Sequence, residues 1–142
     1  MSSKNELTRK ILAHIDRKEK AERRKAQQAE LFESSASELY AKLGEMLIGV
    51  PGIKLSTQSV HFLETTSPIE TLRIEMLGKE VTFIPVERNE VRGLDVSGLF
   101  DRALFFTPFE SGNWEAEDQR NNETILLTEN LIYTRLVAIV PD

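Results

Sequence analysis

Thr71–Val86, TLRIEMLGKEVTFIPV, carries the strongest local geometric signal in the chain. Two runs of alternating apolar residues flank Gly78-Lys79, a two-residue loop with glycine first, as a type II′ hairpin turn requires. That turn pairs Met76 with Val81, Ile74 with Phe83 and Leu72 with Pro85, and puts all six side chains on one face. A helix competes over residues 68–77. Ser67-Pro68-Ile69-Glu70 is a good helix start, and Ile69, Leu72, Met76 and Leu77 share a helical face. Ile74 falls off that face but suits the pairing with Phe83, so the strand is preferred. The reverse face of the hairpin carries Arg73, Glu75, Leu77, Glu80 and Thr82 and turns apolar at Ile84 and Val86. It is expected to be wet at the turn and covered at the far end by the closing helix. Pro85 has no N–H to give a neighbouring strand, which predicts a sheet edge there, either protected, the commoner case, or used for strand addition by a partner.

A sheet with one apolar face needs a cover, and the chain offers helices on both sides of it. Ser35-x-x-Glu38 reads as a capping box that interrupts or restarts the helix at Ser34–Ser37. Behind it Ala36, Leu39, Tyr40, Leu43, Met46 and Leu47 repeat at three and four, with Gly49 and Pro51 as stop signals. This amphipathic helix, over 35–48, is expected to dock on the hairpin. Towards the C-terminus, Thr128-Glu129 caps a closing helix over Asn130–Val140 lined by Ile132, Leu136, Ile139 and Val140, although its β-branched residues also allow a strand. Between these lie strand candidates at 53–64, at LDV (94–96), at RALFFTPF (102–109), around Trp114 and at 125–127. ERNEVRG (87–93) reads as a charged loop. Phe100, Phe105, Phe106 and Phe109 read as core. The fold class is α+β: a charged N-terminal helical arm, then an amphipathic helix and a C-terminal helix packed on a mainly antiparallel sheet of about five to seven short strands.

The chain divides by charge. Of its 142 residues, the first 30 hold nine Lys/Arg against five Asp/Glu, and the remainder nine against eighteen. Residues 1–33 are therefore expected to form a basic helical arm and 34–142 the compact acidic domain. In the arm, Ser3-x-x-Glu6 is a capping box and Leu7, Ile11 and Ile15 make a short apolar stripe. Glu6–Lys10, Asp16–Lys20 and Glu19–Arg23 stand at i,i+4 with the acid first, the favourable order. Lys10, Arg17, Lys18, Lys20, Arg24 and Lys25 share one broad face, which reads either as solvated helix or as a phosphate-binding surface. The apolar positions do not sustain three heptads, so a coiled coil is weakly supported, while self-association through the arm stays open.

Several chemistries are excluded or disfavoured. Without cysteine there are no disulfides, thiolate metal sites or Cys nucleophiles. The two histidines, His14 and His61, sit in different segments with no metal-ligand partner at helical or hairpin spacing. Asp95 and Asp101 bracket a glycine-containing loop, yet no EF-hand spacing surrounds them, and no glycine-rich phosphate loop occurs. No cofactor or metal is therefore expected, and a catalytic role is disfavoured. The absence of a secretory h-region or a membrane-length apolar run predicts a cytoplasmic protein. What remains is binding. Trp114 rimmed by Glu115, Glu117 and Asp118 resembles an interface anchor, against the simpler reading that the tryptophan closes the core. The expected function is a non-enzymatic protein-binding module, such as an adaptor, an inhibitor or immunity protein, or a chaperone-like protein. The alternative is a nucleic-acid-binding regulator that uses the basic face of the arm.

Overall fold

A computed structural model of the chain describes residues 3–60, 69–110, 113–120 and 122–141. Its elements are α1 (Ser3–Leu47), β1 (Ile53–Val60), β2 (Ile69–Met76), β3 (Lys79–Arg88), β4 (Val91–Ser97), β5 (Leu104–Glu110), β6 (Asn113–Asp118), β7 (Glu123–Leu126) and α2 (Glu129–Ile139). The seven strands form an antiparallel sheet in chain order. The α+β class and the preferred strand reading of 69–76 both hold. The end of the strand expected over 53–64, including His61, lies outside the described residues.

The hairpin forms around a different turn. Leu77 and Gly78 occupy its two central positions with φ of 51° and 79°, the left-handed pair of a type I′ turn, so Gly78 is second rather than first. Met76 consequently pairs with Lys79, Ile74 with Val81 and Leu72 with Phe83. The expected register was two residues out. A two-residue slip preserves faces, so Leu72, Ile74, Met76, Val81, Phe83 and Pro85 are still buried together. The predicted loop ERNEVRG is a second hairpin of the same kind, with Asn89 and Glu90 at φ 52° and 65° between Arg88 and Val91. Asparagine opens that turn and tolerates the left-handed region best after glycine.

Pro85 does not lie on an edge. β3 is interior, flanked by β2 and by β4 along Thr82–Arg88. A two-residue loop makes Met76–Lys79 a hydrogen-bonded pair, and bonded pairs recur every second residue. Leu72–Phe83 is then bonded and Glu70–Pro85 would follow, but the ladder stops at Leu72–Phe83. There α1 intervenes: the Tyr40 hydroxyl donates to the Glu70 carbonyl at 2.6 Å, in place of the N–H that proline lacks. The same arrangement recurs at β5. The register Leu94–Phe106 would next set Arg92 opposite Pro108, and pairing ends there too. The Gln28 side-chain amide accepts from the Arg92 N–H at 3.0 Å and donates to its carbonyl at 2.7 Å. Each proline thus marks a place where a polar side chain of α1 enters the ladder and satisfies backbone groups that the neighbouring strand cannot.

α1 is continuous through Ser34–Ser37, where an interruption was expected. Phe32, Ser35, Ala36, Leu39, Leu43 and Leu47 are all buried, so one face of the helix packs without a break across the proposed boundary. Ser34 tolerates the interior position by donating its hydroxyl to the Leu31 carbonyl at 3.2 Å. The expected stop is observed: Gly49 takes φ 79° just past the end. α2 starts where predicted, with the Thr128 hydroxyl accepting from the Leu131 N–H at 3.1 Å, and buries Ile132 and Leu136.

α1 and α2 share one face of the sheet. Lys42 meets Glu129 at 3.9 Å and the Tyr133 hydroxyl donates to the Met46 carbonyl at 3.0 Å. Both helices advance four residues between those contacts, so they run side by side in the same direction. The core joins their apolar faces to Leu72, Ile74, Phe83, Leu94, Val96, Phe106 and Trp114. Among the described residues no helix covers the reverse face. Ile84 there is exposed, and α2 does not reach it, contrary to expectation. Nor are all four phenylalanines core. Phe106 is fully buried, whereas Phe109 sits at the bulge between Pro108 and Glu110 and is exposed. Phe105 lies on the reverse face, over Gly93 and under the Arg88 guanidinium.

Candidate functional site

Half of α1 leaves the domain. Every residue from 3 to 24 is exposed, a free-standing helix of roughly 33 Å at 1.5 Å per residue. Within it Leu7, Ile11, Leu12 and Ile15 expose 60%, 49%, 61% and 45% of their surface. At about 100° per residue they occupy an arc of about 140° over little more than two turns. Leu12 falls outside the four-residue spacing of the stripe; its sequence signal is adjacency to Ile11, which broadens the stripe into a patch.

The six candidate phosphate-binding side chains keep to one broad side of this continuous helix, an arc of about 160° at 100° per residue. Lys10, Arg17, Lys18, Lys20 and Arg24 are exposed and Lys25 is half-buried. Three predicted ion pairs form: Lys10–Glu6 at 3.9 Å, Lys20–Asp16 at 3.1 Å and Arg23–Glu19 at 3.8 Å. At least two of the six candidate phosphate-binding cations, Lys10 and Lys20, therefore already have a carboxylate neighbour on the helix. Exposed pairs of this kind stabilise by only a few tenths of a kcal/mol, about 0.3–0.5 each.

The residues around Trp114 do not form one surface. Strand alternation sends Trp114, Ala116 and Asp118 inwards and leaves Asn113, Glu115 and Glu117 on the reverse face. Trp114 is 1% exposed and meets Phe32 edge-to-face at 5.9 Å, closing the core beneath α1. Asp118 is also buried. Its carboxylate bonds to the Arg102 guanidinium and accepts from the Arg120 N–H at 3.0 Å. That guanidinium, foremost, holds the Asp118 carboxyl below the usual range, and Arg102 is stabilised in its charged form by the same bond. Asp101 completes a ring, touching Arg102 and Arg120 at 2.6 Å each.

This ring has a structural cause. β5 pairs with β4 through Leu104–Phe106 but with β6 only from Thr107 onwards, so β5 and β6 part like a fork. The Asp118–Arg102–Asp101–Arg120 ring ties the prongs together. A groove of about 740 Å³ opens at the fork, lined by Arg88, Phe105, Thr107, Glu115, Glu117 and Arg120 among others. Its charges are mixed, and Arg88 is engaged by Asp95 at 3.5 Å and by the Phe105 ring. Asp95 and Asp101 join separate ion pairs, with Arg88 and with Arg120. His14 is exposed on the arm. Among the described residues no group of three or more His, Asp or Glu is placed to hold a metal ion.

A second apolar stripe is exposed on α2. Along α2 and its cap, Tyr133, Val137 and Val140 share an outer side at i, i+4 and i+7 and are exposed, Val137 by 72%; Ile48, just past α1, is exposed separately. Neither helix has a basic residue in its last turn.

No protein-family model matches the chain, and neither a curated protein nor a solved structure matches it. Among the described residues no helix is long and apolar enough to cross a membrane.

Proposed function

We propose that this protein is a protein-binding module that presents the free half of α1 as a recognition helix. The observation that supports this is the patch of four large exposed apolar side chains on a helix anchored only at its other end. An isolated helix of this length is marginal in water because nucleation is costly, but α1 is nucleated by its buried half. Covering Leu7, Ile11, Leu12 and Ile15 is worth roughly 4–8 kcal/mol in all, before the cost of association. That scale suits a helix laid into an apolar groove, with side chains at i, i+4 and i+8 as anchors. Glu115 and Glu117 offer a second, weaker surface at the rim of the fork. Trp114 and Asp118 are engaged within the fold.

Affinity capture with the intact protein and with Ile11→Glu/Ile15→Glu tests the reading. The intact protein should retain a partner that the variant loses, while Glu115→Ser/Glu117→Ser should capture as well as the intact protein. Equal capture by the arm variant, with its helix intact by circular dichroism, would remove the arm from the function. A nucleic-acid role instead requires a low-salt gel shift that disappears without the arm and weakens steeply with salt. The carboxylates beside Lys10 and Lys20 weigh against that outcome.

A further inference from the structure

An open sheet has two edges, and with the strands in chain order they are β1 and β7. β7 has four residues and begins with Glu123, the short and charged form in which edges are protected. β1 is different. It runs eight residues, pairs with β2 without a bulge, and contains no proline and no carboxylate. Lys54 is its single charged residue. Among the described residues no strand lies on its other side.

The ladder fixes which backbone groups this edge presents. Met76, Ile74 and Leu72 turn their N–H and C=O towards β3, so Glu75, Arg73 and Thr71 turn theirs towards β1. Lys54, Ser56 and Gln58 stand opposite these three and are engaged by β2. The N–H and C=O of Ile53, Leu55, Thr57 and Ser59 therefore point outwards. These residues lie on the core face, yet Thr57 and Ser59 are exposed, so neither helix overhangs that part of the edge.

We propose that β1 pairs antiparallel with β1 of a second copy about a two-fold axis, joining the two sheets into one. One register uses every outward group: Ile53 opposite Ser59 of the other copy and Leu55 opposite its Thr57, repeated by symmetry. It sets Ser56 against Ser56 on the axis and Lys54 against Gln58, so no like charges meet. Residues 31–142 hold eighteen acidic against nine basic side chains, and copies of so acidic a domain repel one another. β1 brings none of those acids to the contact. Glu70 and Glu75 stand one strand back, and the two β2 strands would lie three strand spacings apart, roughly 14 Å. That exceeds the Debye length of about 8 Å at physiological salt. The contact is isologous and closes at two copies. A single strand pair is smaller than a standard interface of about 1,600 Å², so the association follows concentration. It is separate from the arm and does not rest on the arm's role.

Light scattering across a concentration series should show the intact chain dimerising. Thr57→Pro removes an outward N–H and leaves the bonds to β2 untouched, so it should dimerise at least tenfold more weakly with unchanged circular dichroism. The chain has no cysteine, so introduced thiols report the register directly. Opposite residues in a non-bonded pair have Cα atoms about 4.5 Å apart, within disulfide reach. Under mild oxidation Ser56→Cys should link into a covalent dimer. Lys54→Cys and Gln58→Cys should link to each other in a mixture but neither to itself. Should Thr57→Pro unfold, the thiol series alone decides. A chain that stays monomeric at every concentration would overturn the proposal. So would a folded Ser56→Cys that stays unlinked, or dimerisation that survives Thr57→Pro and is lost in Leu7→Glu/Ile11→Glu/Ile15→Glu, which would move the contact to the arm.

Discussion

Replacing Tyr40 by phenylalanine tests the claim that α1 completes the sheet. The substitution keeps the ring and removes one oxygen, which donates to the Glu70 carbonyl at 2.6 Å and lies 3.4 Å from the Phe83 carbonyl. The register, continued past Leu72–Phe83, would set Pro85 opposite Glu70, and proline has no N–H to offer, so no backbone donor replaces the lost hydroxyl. A net hydrogen bond is worth about 0.5–1.5 kcal/mol, and Glu70 is exposed enough for water to recover part of that. The expected loss is about 1 kcal/mol, or roughly 2–5 °C in thermal midpoint for a chain of this size. Denaturant unfolding of four proteins, the intact chain, Tyr40→Phe, Pro85→Ala and the double variant, isolates the effect. Alanine at 85 restores an N–H towards Glu70, so Tyr40→Phe should cost at least about 0.5 kcal/mol less in that background. An equal cost in both backgrounds would show that the hydroxyl does not stand in for the proline's missing donor. Burial, followed by the Glu70 carboxylate, raises the phenol pKa above its ordinary value. The stability that Tyr40 contributes is therefore whole below the unfolded phenol pKa of about 10 and fades as pH rises through the folded value. Tyr40→Phe should abolish that alkaline loss, as read by unfolding at a series of high pH values.

Three further outcomes are expected. Leu77 holds φ 51° with an exposed side chain, so Leu77→Asn should stabilise by about 1 kcal/mol, measured as a higher denaturant midpoint at unchanged slope. No gain, or a loss, would argue that the turn is not type I′. Gly98 has φ 87°, and a Cβ there would overlap the Glu80 carbonyl oxygen; Gly98→Ala should cost more than about 2 kcal/mol, and a neutral substitution would contradict this packing. The depressed pKa of Asp118 contributes stability at neutral pH, above the unfolded carboxylate value of about 4, that is lost as pH falls through the folded value. Asp118→Asn should flatten the acid limb of the stability–pH curve, and an unchanged limb would mean that the ring does not hold the fork.

Some of this protein is legible residue by residue, because the signals are local. The alternation of Leu72, Ile74 and Met76 marks a strand, Thr128 caps α2, and Gly49 ends α1. The apolar patch on the arm is equally local: Leu7, Ile11 and Ile15 stand out at helical spacing against a charged background. Other features depend on residues far apart in the chain. A hairpin that slips by two residues buries the same side chains, so alternation could not choose between Leu77-Gly78 and Gly78-Lys79 as the turn. Ser35 and Glu38 look like a helix start because capping is a local motif, yet the burial of Phe32, Ser35 and Leu39 on one sheet carries α1 straight through. Trp114 among acids looks like an exposed anchor until strand parity turns it towards Phe32 and leaves Glu115 and Glu117 on the other face. Pro85 and Pro108 signal missing donors, but only the folded chain brings up Tyr40 and Gln28, 45 and 80 positions earlier, to fill the gaps. Local signals placed most strands and both helical regions and marked the apolar faces of β2, β3 and α2, since side-chain period and capping act within a few residues. The tertiary structure decided turn register, helix continuity and which polar groups meet, because those are settled by burial against distant parts of the chain.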